Sequence, residues 1–219
     1  MHEFFYLYDP LCGWCYGAVP AVVKLELVPS VVLHPLATGL FAGDGRTMTP
    51  DFAAYAWQND QRIAQMTGQV FSEAYREKVL GDPKGRFDST AATRAVTAVH
   101  LTEPSRELEA LHRIQSLRYV DGRDNTDPAE LLGALRDLGL DEAVALLEAD
   151  DPVIAEAMER RRAMAQQLMA GLGIRGVPAL VRLREGNKVS PVPNAVLFQD
   201  PGGLVENLGL PPEADEAIR

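Results

Sequence analysis

Tyr8-Asp9-Pro10-Leu11-Cys12-Gly13-Trp14-Cys15-Tyr16 is the stretch on which the reading of this chain turns. It holds the only two cysteines of a 219-residue sequence and sets them three apart. On its N-terminal side, Phe4-Phe5-Tyr6-Leu7-Tyr8 is aromatic, lacks turn formers and is closed by Asp9-Pro10, the pattern of a buried strand. On its C-terminal side, Val19, Val22, Val23 and Leu27 recur at helical spacing between Tyr16 and Leu27, with Pro29 as the stop. Val31-Val32-Leu33-His34-Pro35-Leu36 then predicts a second buried strand. The cysteines therefore stand at the strand-to-helix junction of a βαβ unit of about thirty residues.

That position has a chemical consequence. Cys12 falls at a helix N-terminus, where free N–H groups and the helix dipole stabilise an anion, and the thiolate is the reactive form of cysteine. Cys15, one turn further on, is within reach of a mixed disulfide formed at Cys12. Two other readings of the pair stand beside this one: inert buried thiols, or half of a zinc site. Zinc needs further ligands. His2, His34, His100 and His112 show no paired spacing, so no metal is expected. A structural disulfide closing so short a loop removes little unfolded-state entropy.

Working outward, the pattern from Phe41 to Asp150 is helical, with start signals at Thr49-Pro50, Asp88-Ser89 and Asp127-Pro128. Helices are predicted over 50–80, 89–101, 105–119, 128–138 and 142–149, and no strand. A further helix opens at Asp151-Pro152 and carries Ile154, Ala157, Met158, Ala165, Leu168 and Leu172 on one face until Gly171 and Gly173 break it. Strands return at Ala179–Arg184 and Val189–Val192 around the turn Glu185-Gly186-Asn187-Lys188, and a short helix from Gly202 to Leu208 closes the order. This divides the chain into 1–42 plus 151–219, and a helical insertion over 43–150. The insertion carries seven of the ten net negative charges.

Bulk composition narrows the function. With 47% hydrophobic and 24% charged residues the chain buries a core without staples, and a net charge of -10 argues against nucleic acid or an anionic membrane as partner. The N-terminus has no basic leader, and Phe4 to Tyr8 is too short for a signal peptide or a spanning helix. With Met1 as the natural start, the cytoplasm is expected.

Several other residues bear on the site. In Gly176-Val177-Pro178-Ala179 a proline opens an apolar strand, which favours a sharp, often cis, chain path; an edge-strand proline without a role is the plainer reading. Trp14 is read either as a flat contact for substrate or as packing against the inserted helices. Asp9 reads as an Asp-Pro turn residue, and Phe52, Tyr55 and Trp57 as core or as a groove beside the thiols. Arg160-Arg161-Arg162, with Glu156 and Glu159 nearby, reads as a solvated, paired helix face.

The cysteine stretch together with Gly176-Val177-Pro178-Ala179 resembles the DsbA family of thioredoxin-fold thiol–disulfide oxidoreductases, and is most similar to its cytoplasmic FrnE-like members, predicted protein-disulfide isomerases. The resemblance covers nearly the whole chain. It implies an α/β thioredoxin-like fold split by a helical insertion between its βαβ and ββα halves, and a cis Pro178 facing the cysteines across a substrate groove, with Val177 before it. Two features depart from relatives. Gly13-Trp14 supplies neither the His nor the Pro found between the cysteines of better-known members, which leaves the direction of exchange open, and Pro20 is closer to the helix-kinking proline of thioredoxins.

The function expected is dithiol–disulfide exchange of reductase or isomerase type on a protein or small-molecule disulfide. Cys12 is the nucleophile, Cys15 the resolving thiol, Trp14, Val177 and Pro178 the substrate contacts. No bound cofactor is expected, and glutathione or another external thiol supplies electrons. The alternative is a glutathione-dependent isomerase or kappa-class-like transferase, whose members carry Ser where this chain has Cys12. A binding or chaperone module that inherited the fold is the third reading.

Overall fold

The computed structural model describes residues 1–43, 45, 47–198 and 203–210. Its four strands are β1 (His2–Tyr8), β2 (Val31–Ala37), β3 (Ala179–Arg184) and β4 (Lys188–Pro191). They form one sheet in the order β2-β1-β3-β4, with β2 parallel to β1 and the other pairings antiparallel. Side chains of β1 alternate between the two faces of the sheet, as the pleat requires: Phe4, Tyr6 and Tyr8 join the large core, Phe5 and Leu7 the smaller one. The antiparallel register sets Leu7 opposite Ala179, which brings Pro178 beside the loop that leaves β1.

After β1 the chain turns into α1 (Gly13–Gly17) and α2 (Val19–Glu26). The single helix expected from Tyr16 to Leu27 is thus two, and it starts earlier. Pro20 has no N–H to offer the Tyr16 carbonyl four residues back, and that oxygen instead accepts from Gln69 Nε2 at 3.0 Å. The kink is therefore satisfied from the inserted block.

That block contains α3 (Pro50–Thr67), α4 (Glu73–Tyr75), α5 (Thr90–Thr102), α6 (Glu107–Tyr119), α7 (Pro128–Asp137) and α8 (Asp141–Glu148). The expected continuous helix over 50–80 is broken. Gly68, in the left-handed region at φ 73, ends α3, and Ser72 starts the next turn by accepting from Tyr75 N at 3.0 Å; the chain then widens into a π-helical turn over Arg76–Leu80. The other inserted helices lie within two residues of expectation. Thr49, Asp127 and Asp151 cap their helices through side-chain oxygens.

The long α9 (Pro152–Leu172) packs on β2 and covers the face that carries Leu7, Leu36 and Val181 with Ala165, Leu168 and Leu172. Gly171 does not break it; Gly173, at φ 66, does. The opposite face belongs to a core that runs without interruption from Phe4 through Cys15, Ile63, Val96 and Leu111 to Leu204, so sheet and inserted helices share one interior. The chain ends its described part in α10 (Leu204–Asn207). Gly202, the expected start of that helix, and 211–219, expected to belong with the sheet, lie outside the described residues. The architecture is the α/β thioredoxin-like fold with helices between its βαβ and ββα halves. Among the described residues, no helix is long and apolar enough to cross a membrane.

The arginine run is corrected by the structure. Arg160 and Arg162 pair with Glu156 and Glu159 on the exposed face, but Arg161 turns inward, where it pairs with the buried Glu107 and donates to the Pro35 carbonyl. One side chain thereby ties α9 to α6 and β2.

Candidate active site

Cys12 occupies the N-cap of α1 with extended backbone (φ -85, ψ 116), and Tyr16 N donates to its carbonyl at 3.1 Å. Its side chain is 7% exposed, whereas Cys15 is fully covered. Both thiols are free. Cys12 Sγ donates to the Val177 carbonyl oxygen at 3.6 Å, and the Val177–Pro178 peptide bond is cis. Burial pushes the Cys15 thiol well up, and its contact with Cys12 pushes the same way. Cys15 is accordingly a protonated thiol at neutral pH.

Buried hydroxyls and one carboxylate hold the loop around the thiols. Tyr6 Oη donates to the Cys15 carbonyl at 3.3 Å, and Tyr119 Oη to the Leu11 carbonyl at 2.8 Å. Asp9 accepts from Leu11 N at 3.0 Å, from Phe41 N at 3.0 Å and from Ser89 Oγ at 2.9 Å. Burial raises its pKa against the pull of these three bonds. The residue is more than an Asp-Pro turn, because it fixes both the cysteine loop and the inserted block.

A cavity of about 300 Å³ opens beside Cys12. Leu11, Cys12, Gly13 and Trp14 form one wall; Phe52, Tyr55, Ala56 and Asp60 of α3 form the facing one. The two walls approach closely because α1 presents glycine at 13 and 17: a Cβ at Gly13 would collide with Asp60 Oδ1, and one at Gly17 with Ile63 Cγ2. Trp14 is half-buried and meets the Phe198 ring edge-on at 5.2 Å, so its packing partner is the segment after β4. Trp57 does not line the cavity. It stacks instead under Arg76 at 5.2 Å.

The structure thus brings Cys12, Cys15, Trp14 and Val177 together, with Pro178 next in the chain. The histidines stand elsewhere: His34 pairs with Glu3 and His100 with Glu107, while His112 is half-buried. Asp60 and Tyr75 escaped the sequence reading. A signal for Asp60 was present, since it falls on the stripe of Phe52, Ala56 and Ile63 at helical spacing, an acid on an apolar face. It is only 5% exposed, and Tyr75 Oη donates to its Oδ2 at 2.9 Å.

Comparison with known proteins follows the same lines. A family model for the DSBA-like thioredoxin domain matches residues 3–198. Among solved structures, the cytosolic disulfide reductase DsbM from Pseudomonas aeruginosa superposes with a TM-score of 0.84 at 31% identity, over 94% of this chain and 97% of that one. The same protein solved with GSH gives 0.83 at 30% identity over the same shares. A 2-hydroxychromene-2-carboxylate isomerase, 15% identical over 94% of each chain with a TM-score of 0.58, shares the fold alone. No curated protein matches the chain. Family model, fold and paired thiols agree: the chain belongs to the DSBA-like thioredoxin domain family and is a thiol–disulfide oxidoreductase of that type.

Proposed function

We propose that this protein reduces or isomerises disulfides through Cys12 as nucleophile and Cys15 as resolving thiol, with glutathione as its electron donor. The observation that carries the reading is the order of the two sulfurs: Cys12 borders an open cavity, and Cys15 lies fully covered behind it. A substrate disulfide entering the cavity meets Cys12 first.

The Cys12 thiolate attacks one sulfur of the substrate, forms a mixed disulfide and expels the other half as a thiolate. Cys15 loses its proton and attacks the Cys12 sulfur, which releases the second half and leaves a Cys12–Cys15 disulfide. Two glutathione molecules then restore the dithiol and leave as one oxidised glutathione. That the Pseudomonas relative was solved with GSH supports this donor, and its description as cytosolic supports the cytoplasm as the place of action. Val177, Pro178 and Trp14 frame the approach to Cys12 and contact substrate, while residues 43–150 act as the insertion that supplies the far wall of the cavity. An isomerase or transferase using glutathione as cofactor has no task for Cys15, so the dithiol favours exchange.

Insulin reduction with glutathione as donor tests the assignment. Cys12→Ser is expected to abolish turnover and Cys15→Ser to accumulate a mixed disulfide visible by mass spectrometry. Full activity of the Cys12 variant would overturn it.

A further inference from the structure

The carboxylate of Asp60 is not used by the exchange steps above, yet it stands in the wall opposite Cys12. Its Oδ2 is held by Tyr75, whereas among the described residues Oδ1 takes no hydrogen bond and lies over Gly13, between the two cysteines in sequence. We propose that Asp60 is the acid that protonates the thiolate expelled when Cys12 attacks a substrate disulfide. The inference rests on the Cys12 nucleophile proposed above.

Geometry carries it. Displacement at sulfur is in line, so the departing sulfur lies beyond the attacked one as seen from Cys12. With the Val177 carbonyl against Cys12 on one side, the open direction is the cavity, whose opposite wall contains Asp60. The proton passes from the Asp60 carboxyl to the leaving sulfur, giving a neutral thiol and a carboxylate, and the carboxylate is reprotonated by solvent through the cavity mouth. No oxidant or reductant beyond the two thiols and the disulfide is needed.

The surroundings keep a proton available. Burial raises the Asp60 carboxyl to about 7, opposed by the Tyr75 hydrogen bond and by the Arg118 charge from α6. Arg118 is itself buried against the rings of Tyr75, Phe87 and Tyr119. Cys12, Tyr55 and Tyr119 are the other titratable groups that line the cavity walls. An acid near 7 delivers its proton downhill to an alkyl thiolate, whose conjugate thiol lies above 8.

Two disulfides of different leaving group provide the test. With oxidised glutathione the expelled thiolate needs a proton; with 5,5′-dithiobis(2-nitrobenzoate) the aryl thiolate is a stable anion and needs none. In single-turnover reactions of the reduced protein, Asp60→Asn is expected to slow the first and spare the second. The ratio of wild-type to variant rate with oxidised glutathione should fall about tenfold between pH 6 and pH 8, as the acid form is titrated away. Tyr75→Phe, which removes a bond to the carboxylate, should move that fall to higher pH. A ratio that is flat with pH, or equal for both disulfides, overturns the proposal and leaves Asp60 a packing residue. Loss of both reactions in Cys12→Ser, measured alongside, keeps that failure separate from a failure of the nucleophile assignment.

Discussion

Asp60 and Gly13 are complementary: the carboxylate fills the space that any side chain at position 13 would occupy, with Oδ1 well inside 3.0 Å of where a Cβ would stand. Gly17 and Ile63 repeat the relationship one turn further along. Two helices from separate parts of the chain thus meet backbone to side chain beside the reactive thiol.

This contact gives an ordered set of alanine variants. Gly17→Ala meets the rigid, β-branched Ile63 and is expected to cost about 1–3 kcal/mol. Gly13→Ala meets the end of a side chain that can swing, so it should cost less stability but slow exchange by displacing Asp60. Gly171→Ala, in α9 with open space around it, should stabilise by about 0.5–1 kcal/mol. Denaturant melts of the three variants check the order.

Stability should fall as pH rises through the titration of Asp60. Its folded pKa is raised from 3.8 to about 7, so the folded state holds a proton that the unfolded state releases from about pH 4 upward. The loss is complete above about pH 7 and amounts to at most about 4 kcal/mol at 1.36 kcal/mol per unit. Asp60→Asn should therefore melt higher than the wild type at pH 8 and equal to it near pH 4. A more stable but slower enzyme is the signature of a buried acid kept for chemistry.

His112 acts in the opposite direction. Burial lowers its pKa from 6.5 to about 4, and among the described residues its Nε2 has no hydrogen-bond partner. The neutral ring is favoured in the fold, so stability is full above about pH 6.5 and is lost as pH falls toward 4, by at most about 3 kcal/mol. His112→Leu should remove this acid-side loss. Comparing melts of variant and wild type at pH 7 and pH 4.5 isolates it from the Asp60 effect.

Arg161 and Arg160 separate a buried ion pair from an exposed one. The Arg161 side chain is 13% exposed and its partner Glu107 1%, so Arg161→Ala leaves an interior carboxylate with His100 as its remaining ion-pair partner among the described residues and should cost about 3 kcal/mol. Arg160→Ala, facing solvent beside Glu156, should leave the melting temperature within error of the wild type.

Much of the fold was legible because its signals are local. The aromatic run Phe4–Tyr8 closed by Asp9-Pro10, a proline ahead of Ala179–Arg184 and capping residues before Pro50, Pro128 and Pro152 each act over a few residues. The thiols were legible because the chain has only two. What the sequence concealed depends on partners far along the chain. The break after Thr67 lets Gln69 reach the carbonyl freed by Pro20, Arg161 looks like its neighbours until Glu107 is placed beside it, and Asp60 matters only once α3 lies on α1.

The three bonds to the Asp9 carboxylate have a consequence for how the wall facing the thiols is held. Leu11 belongs to the cysteine loop, Phe41 to the segment that leads into the inserted block and Ser89 to the head of α5, so one side chain pins both ends of the stretch between 41 and 89 to the redox loop. Between these two posts the stretch is packed along its length, through Ile63 of α3 and then through Phe71, Tyr75, Val79, Leu80 and Phe87. Asp9 thus works as a keystone that holds the redox loop and the facing wall in one alignment.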